Sequence, residues 1–191
     1  MAERDDFAVF IDRDGTMVFD MHYLADPEGL ELIATVPEGV KKLNEAGIPV
    51  IVVTNQSGVA RGRFDETALD RIHRRLAEML MAKGAKVDGI YYCPHMPDAG
   101  CDCRKPRPGM LRRAGKERGF DLRRSYVIGD RMMDIEMAHS VGAIGVLVPE
   151  PGDQYHVDSE IETSKDTPDM RKATFIEAVE WVLRDIARKS Q

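Results

Sequence analysis

The sequence predicts a three-layer α/β/α fold around a mainly parallel central sheet. The first observation behind this is an alternation along most of the chain. Short runs of β-branched and apolar residues take turns with longer amphipathic segments. Such alternation lays strands parallel and covers both faces of the sheet with helices. The second observation is the character of the residues directly after the apolar runs: Asp12-Arg13-Asp14-Gly15-Thr16, Thr54-Asn55-Gln56-Ser57-Gly58, Cys93-Pro94-His95 and Gly129-Asp130-Arg131. In open parallel sheets ligands bind beyond the carboxyl ends of the strands, where the strand order reverses. Polar and reactive residues gathered at those ends mark them as the place to read for chemistry.

Each element has its own warrant. Residues 7–11 are too short and too β-prone for a helix. Residues 37–46 form a helix opened by Pro37 and closed by Gly47. Residues 48–53, nearly all β-branched, form the second strand. Leu69, Ile72, Leu76, Met79 and Leu80 recur at helical spacing and predict a helix over 65–83, ended by Gly84. A third strand covers 87–92. A helix follows over 108–118 with Gly119 after it, then a strand over 125–128, a helix over 132–141 and a strand over 143–148. Residues 150–169 are polar, with Pro, Gly, Asp and Ser, and read as a long loop. Ile176, Val179, Leu183 and Ile186 restore helical periodicity over 170–188. The expectation is one domain over 1–191, with its core in 7–148 and no large cap domain between the motifs.

Bulk properties exclude some function classes. A chain of 191 residues with 43% hydrophobic residues is long enough for one sizeable core. The formal net charge is −6 and no long basic run is present. Nucleic acid and anionic membrane are therefore not expected partners. No apolar run is long enough to span a bilayer. The opening Met1-Ala2-Glu3-Arg4-Asp5-Asp6 is acidic and unlike a signal peptide. A cytoplasmic monomer is the expectation.

Asp12 and Asp14 stand two apart at a strand end, so persisting strand geometry points both side chains to one side. Two close carboxylates repel unless a cation sits between them. A hard cation with oxygen ligands relieves this, and magnesium favours few carboxylates together with water and phosphate oxygens. Asp130 can add a ligand from across the site. Read alone, the Asp-Arg-Asp-Gly-Thr run is equally a turn with solvated charges. Thr54 to Gly58 offers hydroxyl and amide groups with a glycine permitting close approach, as a phosphate cradle needs; an ordinary helix cap would use the same residues. Lys105 and Arg104 are suited to phosphate, or to solvent as a plain basic stretch.

These residues together resemble the haloacid-dehalogenase-like phosphatase superfamily, a Rossmann-like group. Asp12, Asp14 and Thr16, then Thr54, then Lys105, then Gly129-Asp130 with Asp134 match its motifs in order, over about residues 7–148. The resemblance implies that Asp12 is the nucleophile of an aspartyl-phosphate pathway and Asp14 the acid and base. It implies that magnesium is held by the Asp12 carboxylate, the Asp14 backbone carbonyl and Asp130. Thr54 and Lys105 would hold the phosphoryl oxygens, and Asp134, one helical turn beyond Asp130, would act from behind or at a helix N-terminus.

All three cysteines lie between positions 93 and 103. Cys93, His95, Cys101 and Cys103 give Cys-x-His and Cys-x-Cys, a set suited to tetrahedral zinc with no open position, hence a structural ion. The alternative is one buried cysteine with unrelated surface thiols. The zinc loop, residues 93–103, leads straight into Arg104 and Lys105. This arrangement resembles two groups, the D-glycero-D-manno-heptose 1,7-bisphosphate phosphatases and the histidinol-phosphate phosphatases. The runs Thr54 to Gly62 and Arg104 to Leu111 favour the heptose group. The short zinc loop, and Arg131 in place of a lysine, depart from it. The resemblance implies a small phosphorylated metabolite as substrate, with Asn55, Arg61, Arg104 and Arg131 as binding residues. Asp20 and Tyr23 either contact substrate or merely pack their loop. The dehalogenase branch, which lacks the second acid, is opposed by Asp14. A zinc-organised binding module without catalysis is opposed by the complete set of catalytic side chains.

Overall fold

The computed structural model describes residues 6–189. Residues 1–5, with most of the acidic opening, and 190–191 lie outside the described residues. A six-stranded sheet forms the middle layer, in the order β3-β2-β1-β4-β5-β6, all parallel. The strands are β1 (Val9–Ile11), β2 (Val50–Asn55), β3 (Gly89–Cys93), β4 (Tyr126–Gly129), β5 (Ile144–Leu147) and β6 (Met170–Arg171). The helices are α1 (Val36–Glu45), α2 (Glu66–Met81), α3 (Gly109–Arg118), α4 (Met132–His139), α5 (Gln154–Thr163) and α6 (Phe175–Lys189).

Period-2 alternation divides the core in two. Val9 and Ile11 of β1 face one side, with residues of α1, α2 and α6. Ala8 and Phe10 face the other, with residues of α3 and α4. Chemistry at the ends sets the helix limits. The Asp65 side chain accepts from the Ala68 amide at 2.7 Å and opens α2. Gly119, at φ +80°, closes α3 in the left-handed conformation that glycine adopts without cost.

Two expectations over the C-terminal part are corrected. Residues 150–169 are not one loop, because Gln154–Thr163 is helical. Its apolar stripe is only Val157 and Ile161, packed on Met132, Ile135 and Leu147. Two apolar residues at i, i+4 in a polar stretch fall below any pattern a sequence window registers. The final helix begins at Phe175, not at 170. Met170 and Arg171 instead pair with Val146 and Leu147 as an edge strand. Thr174 caps the helix by accepting from the Glu177 amide at 3.4 Å. No helix among the described residues is long and apolar enough to cross a membrane.

Winding goes from β1 outward through β2 to β3, then returns to β4 on the other side of β1. The reversal lies between β1 and β4, so the residues after those two strands share the switch point. Between β1 and α1 the chain forms only a 3-10 turn, Pro27–Gly29, and isolated bridges of Val18 to Asp14 and Leu32, with no cap domain.

His73 on α2 is buried, with its ring 5.6 Å from that of Tyr92 and Nε2 unbonded. Burial, reinforced by the Arg13 charge, pushes its pKa down to about 4. Below pH 6.5 the unfolded chain takes a proton that the folded chain refuses. Stability is therefore lost as pH falls from there to about 4. His73→Leu should flatten that loss in urea titrations across this window. A native imidazole titrating near its ordinary value by NMR would refute the assignment.

Candidate active site

Asp12 follows β1 and Asp130 follows β4, and the Asp12 amide donates to the Ile128 carbonyl at 2.9 Å. The two carboxylates thereby meet at the switch point. Asp134, in the first turn of α4, completes a buried group in which one oxygen from each of Asp12, Asp130 and Asp134 lies within 4.8 Å of the others. Gly15 permits this closeness. It sits at φ +82°, and a Cβ there would stand 2.4 Å from Asp130 Oδ2. Thr16 donates its hydroxyl to Asp130 Oδ1 at 3.2 Å.

Lys105 enters this group from the segment after the cysteines. Its ammonium donates to Asp12 Oδ1, to Asp134 Oδ1 at 2.7 Å and to the Val53 carbonyl at 3.4 Å. Burial opposes charge on Lys105, but Asp12 and Asp134 outweigh it and hold its pKa above the ordinary value. Burial also pushes Asp12 up to about 7, with Lys105 pulling the other way and Asp134 and Asp14 adding to the rise. Asp130 goes to about 9, through burial and then through Asp12 and Asp134. Three buried carboxylates against one ammonium leave an excess of negative charge. A hard divalent cation fits that charge and the all-oxygen donor set.

Asp14 stands apart from this group. Arg13 grips its carboxylate through Nε and Nη2, at 3.0 and 2.8 Å. Gln56 Nε2 donates to Asp14 Oδ2 at 2.7 Å, and the Thr54 hydroxyl donates to the same oxygen at 3.2 Å. Asp14, Arg13 and Gln56 line a cavity of about 460 Å³, together with Asn55 and loop residues that include Asp20 and Tyr23. Thr54, expected to face a phosphate, is here turned to Asp14.

Asn55 serves the Lys105 segment. Its Oδ1 accepts from the Lys105 amide at 3.1 Å and its Nδ2 donates to the Lys105 carbonyl at 3.5 Å. Arg104 has a buried Nη1 without a partner. Arg61 is exposed and lies 5.9 Å from the centre of the Tyr23 ring. Arg131, expected to bind substrate, is engaged elsewhere. It pairs with Asp130 at 3.3 Å, and with Asp153 and Glu160 at 2.8 and 3.3 Å. Glu160 also accepts from the Met132 amide at 3.0 Å, so α5 holds the start of α4 beside Asp130.

Cys93, His95, Cys101 and Cys103 converge, each ligand atom within 4.8 Å of the rest. Cys93 Sγ lies 3.6 Å from Cys101 Sγ and 3.1 Å from Cys103 Sγ, and His95 Nδ1 lies 3.2 Å from Cys103 Sγ. Zinc–sulfur bonds of about 2.3 Å in a tetrahedron set sulfurs about 3.8 Å apart, close to the Cys93–Cys101 separation and wider than the Cys93–Cys103 one.

Sequence reasoning passed over Arg13 and did not separate Gln56 from its neighbours. An arginine between two carboxylates is the signal that was available for Arg13. Nothing in the sequence indicated that Asp153 and Glu160 meet Arg131.

Comparison with known proteins agrees with this geometry. The HAD-hydrolase-like family model matches residues 102–174. The D-glycero-beta-D-manno-heptose-1,7-bisphosphate 7-phosphatase of Pseudomonas aeruginosa is 43% identical over 141 residues, covering 73% of this chain and 79% of that protein. The protein of the same name from Escherichia coli O6:H1 is 34% identical over 188 residues, covering 94% and 90%. The crystal structure of D,D-heptose 1,7-bisphosphate phosphatase from B. bronchiseptica, complexed with magnesium and phosphate, superposes with a TM-score of 0.83. It is 29% identical and covers 94% of this chain and 99% of its own. The chain belongs to the HAD-like hydrolases and, within them, to the family of heptose-1,7-bisphosphate 7-phosphatases.

Lys105→Met would leave Asp12 and Asp134 without their buried counter-charge. The metal-free variant should lose about 3–5 kcal/mol in chemical denaturation. A loss under about 1 kcal/mol, the worth of an exposed pair, would show that Lys105 does not neutralise the group.

Proposed function

We propose that this protein is a magnesium-dependent phosphatase that removes the 7-phosphate of D-glycero-D-manno-heptose 1,7-bisphosphate. The single observation that carries the chemistry is Asp12, buried at the switch point against Lys105, with Asp14 at the adjoining cavity. The substrate rests on the family to which the chain belongs.

Asp12 attacks phosphorus, the bond from phosphorus to the sugar oxygen breaks, and Asp14 supplies a proton to the departing oxygen. Water then attacks the aspartyl-phosphate while Asp14 takes its proton, releasing inorganic phosphate and restoring the Asp12 carboxylate. Arg13, Thr54 and Gln56 keep Asp14 facing the cavity between these steps. Magnesium, when bound, offsets the negative charge gathered on the phosphoryl oxygens. The residues to hold it are Asp12, Asp130 and the Asp14 backbone carbonyl. Asp134 stays with Lys105 and fixes the ammonium toward Asp12. Lys105 provides for the transferring phosphoryl group, with Asn55 setting the Lys105 backbone. Arg104, with its unpartnered buried nitrogen, and Arg61 are the cationic groups left for the rest of the substrate.

Zinc on Cys93, His95, Cys101 and Cys103 acts structurally in this reading. Three thiolates and an imidazole within bonding reach support it, as does the position of Lys105 two residues after Cys103. Purified protein should hold about one zinc per chain, and a strong chelator should lower both Tm and activity. Stable, active protein free of zinc would dismiss the structural ion.

Initial rates on heptose 1,7-bisphosphate and histidinol phosphate test the substrate. The bisphosphate should have the larger kcat/KM; the reverse order would overturn the assignment. Asp12→Asn should bind the bisphosphate without turning it over, and parental turnover in that variant would remove Asp12 as nucleophile.

A further inference from the structure

Arg131 is shared between the buried carboxylates and α5. Its Nε lies 3.3 Å from Asp130 Oδ2, while its Nη2 lies 2.8 Å from Asp153 Oδ2 and its Nη1 3.3 Å from Glu160 Oε1. The Arg131, Asp153 and Glu160 side chains are 26%, 32% and 29% exposed, so water weakens these pairs only in part.

A second arginine in the site shows what a guanidinium does when nothing competes for it. Arg13 also neighbours an aspartate in the chain, and it closes on Asp14 with Nε and Nη2, at 3.0 and 2.8 Å. Its remaining nitrogen, Nη1, is buried without a partner. The guanidinium fork matches one carboxylate well, and Arg13 uses it so. Arg131 instead turns both terminal nitrogens to the acids of α5 and the residue before it. The position of α5 is itself fixed against α4. Glu160 Oε2 accepts from the Met132 amide at 3.0 Å, and the Ser164 hydroxyl donates to Glu136 Oε1 at 3.1 Å. Val157 and Ile161 pack on Met132, Ile135 and Leu147.

The division matters for Asp130. Its Oδ1 already accepts from the Thr16 hydroxyl. A guanidinium closed on both oxygens would occupy their lone pairs and offset the charge that draws a divalent cation. We propose that Asp153 and Glu160 are positioning residues for magnesium: they hold Arg131 off Asp130 and so keep that carboxylate open to the ion. This rests on the magnesium reading above and adds the helix that tunes the ion's affinity. Neither acid belongs to the reacting group; both act through Arg131, whose place is then with α5 and not with the substrate.

The test is the magnesium affinity of the full chain without substrate, by calorimetric titration in about 0.5 M potassium chloride, where the general field of the protein is screened. Asp153→Asn/Glu160→Gln should weaken binding by about 10- to 100-fold, as losses behind a metal ligand do. Adding Arg131→Gln to that pair should restore most of the affinity, because the cation that closes on Asp130 is gone. A double variant that binds as the parent does would overturn the proposal. So would a weakened double variant that Arg131→Gln leaves weak, since a mere loss of packing by α5 predicts that result. Should the double variant fail to fold, Asp153→Asn alone, outside the helix, carries the same loss and the same rescue on a smaller scale. A parent without magnesium affinity would overturn the magnesium reading itself, and this inference with it.

Discussion

The ammonium of Lys105, buried between Asp12 and Asp134, is the contact on which the rest of the site depends. Parallel strands bring the residues after β1 and β4 together at the switch point, and here both are aspartates. Burial and mutual repulsion push Asp12 and Asp130 far above the ordinary carboxylate range. Lys105 lowers that cost and leaves an excess suited to a divalent cation. In a dry pocket a carboxylate stays ionised only beside positive charge.

That requirement explains the effort spent on placing one lysine. Its backbone is bonded from both sides by Asn55, at the end of β2. The segment before it carries Cys101 and Cys103, which meet Cys93 and His95 at the end of β3. Lys105 is thus referred to two neighbouring strands although it belongs to neither. Opposite it, Arg131 ties Asp130 to Asp153 and Glu160. The segment after β5 therefore does for Asp130 what the cysteine loop does for the lysine. In both cases an irregular or polar segment with little core of its own is held by charge or by thiol and imidazole groups.

The same division explains what was legible in the sequence. The strands from β1 to β5 were readable as short apolar or β-branched runs, α2 and α6 through helical periodicity, and α1 and α3 through the Pro and Gly at their ends. Asp12, Asp14, Asp130 and the cysteine–histidine set were readable because they sit at strand ends or at ligand spacing. The short helix α5 was not, because Val157 and Ile161 are its whole apolar stripe. Strand β6 was not, because two residues cannot display a period. Arg131 was expected at the substrate through the family resemblance, and its ion pairs with Asp153 and Glu160 were not foreseen. Asp153 lies just before α5 and Glu160 on it, and no local pattern links residues that far from Arg131. Arg13 was missed because a buried arginine is indistinguishable in sequence from a solvated one.

The site therefore separates into parts under different constraints. The floor, with Asp12, Asp130, Asp134 and Lys105, is buried, and its carboxylates outnumber its ammonium. Changing any of its members strands another charge away from water, so it has little freedom to vary. The rim, with the loop around Tyr23 and the arginines after β2, is exposed, and its charges are stabilised by solvent whether or not a ligand is present. Substitutions there leave no buried charge behind. The exposed rim is therefore freer to vary than the buried floor. The left-handed backbone at His22 and Tyr23, at φ +43° and +56°, lies in the rim and not in the buried floor.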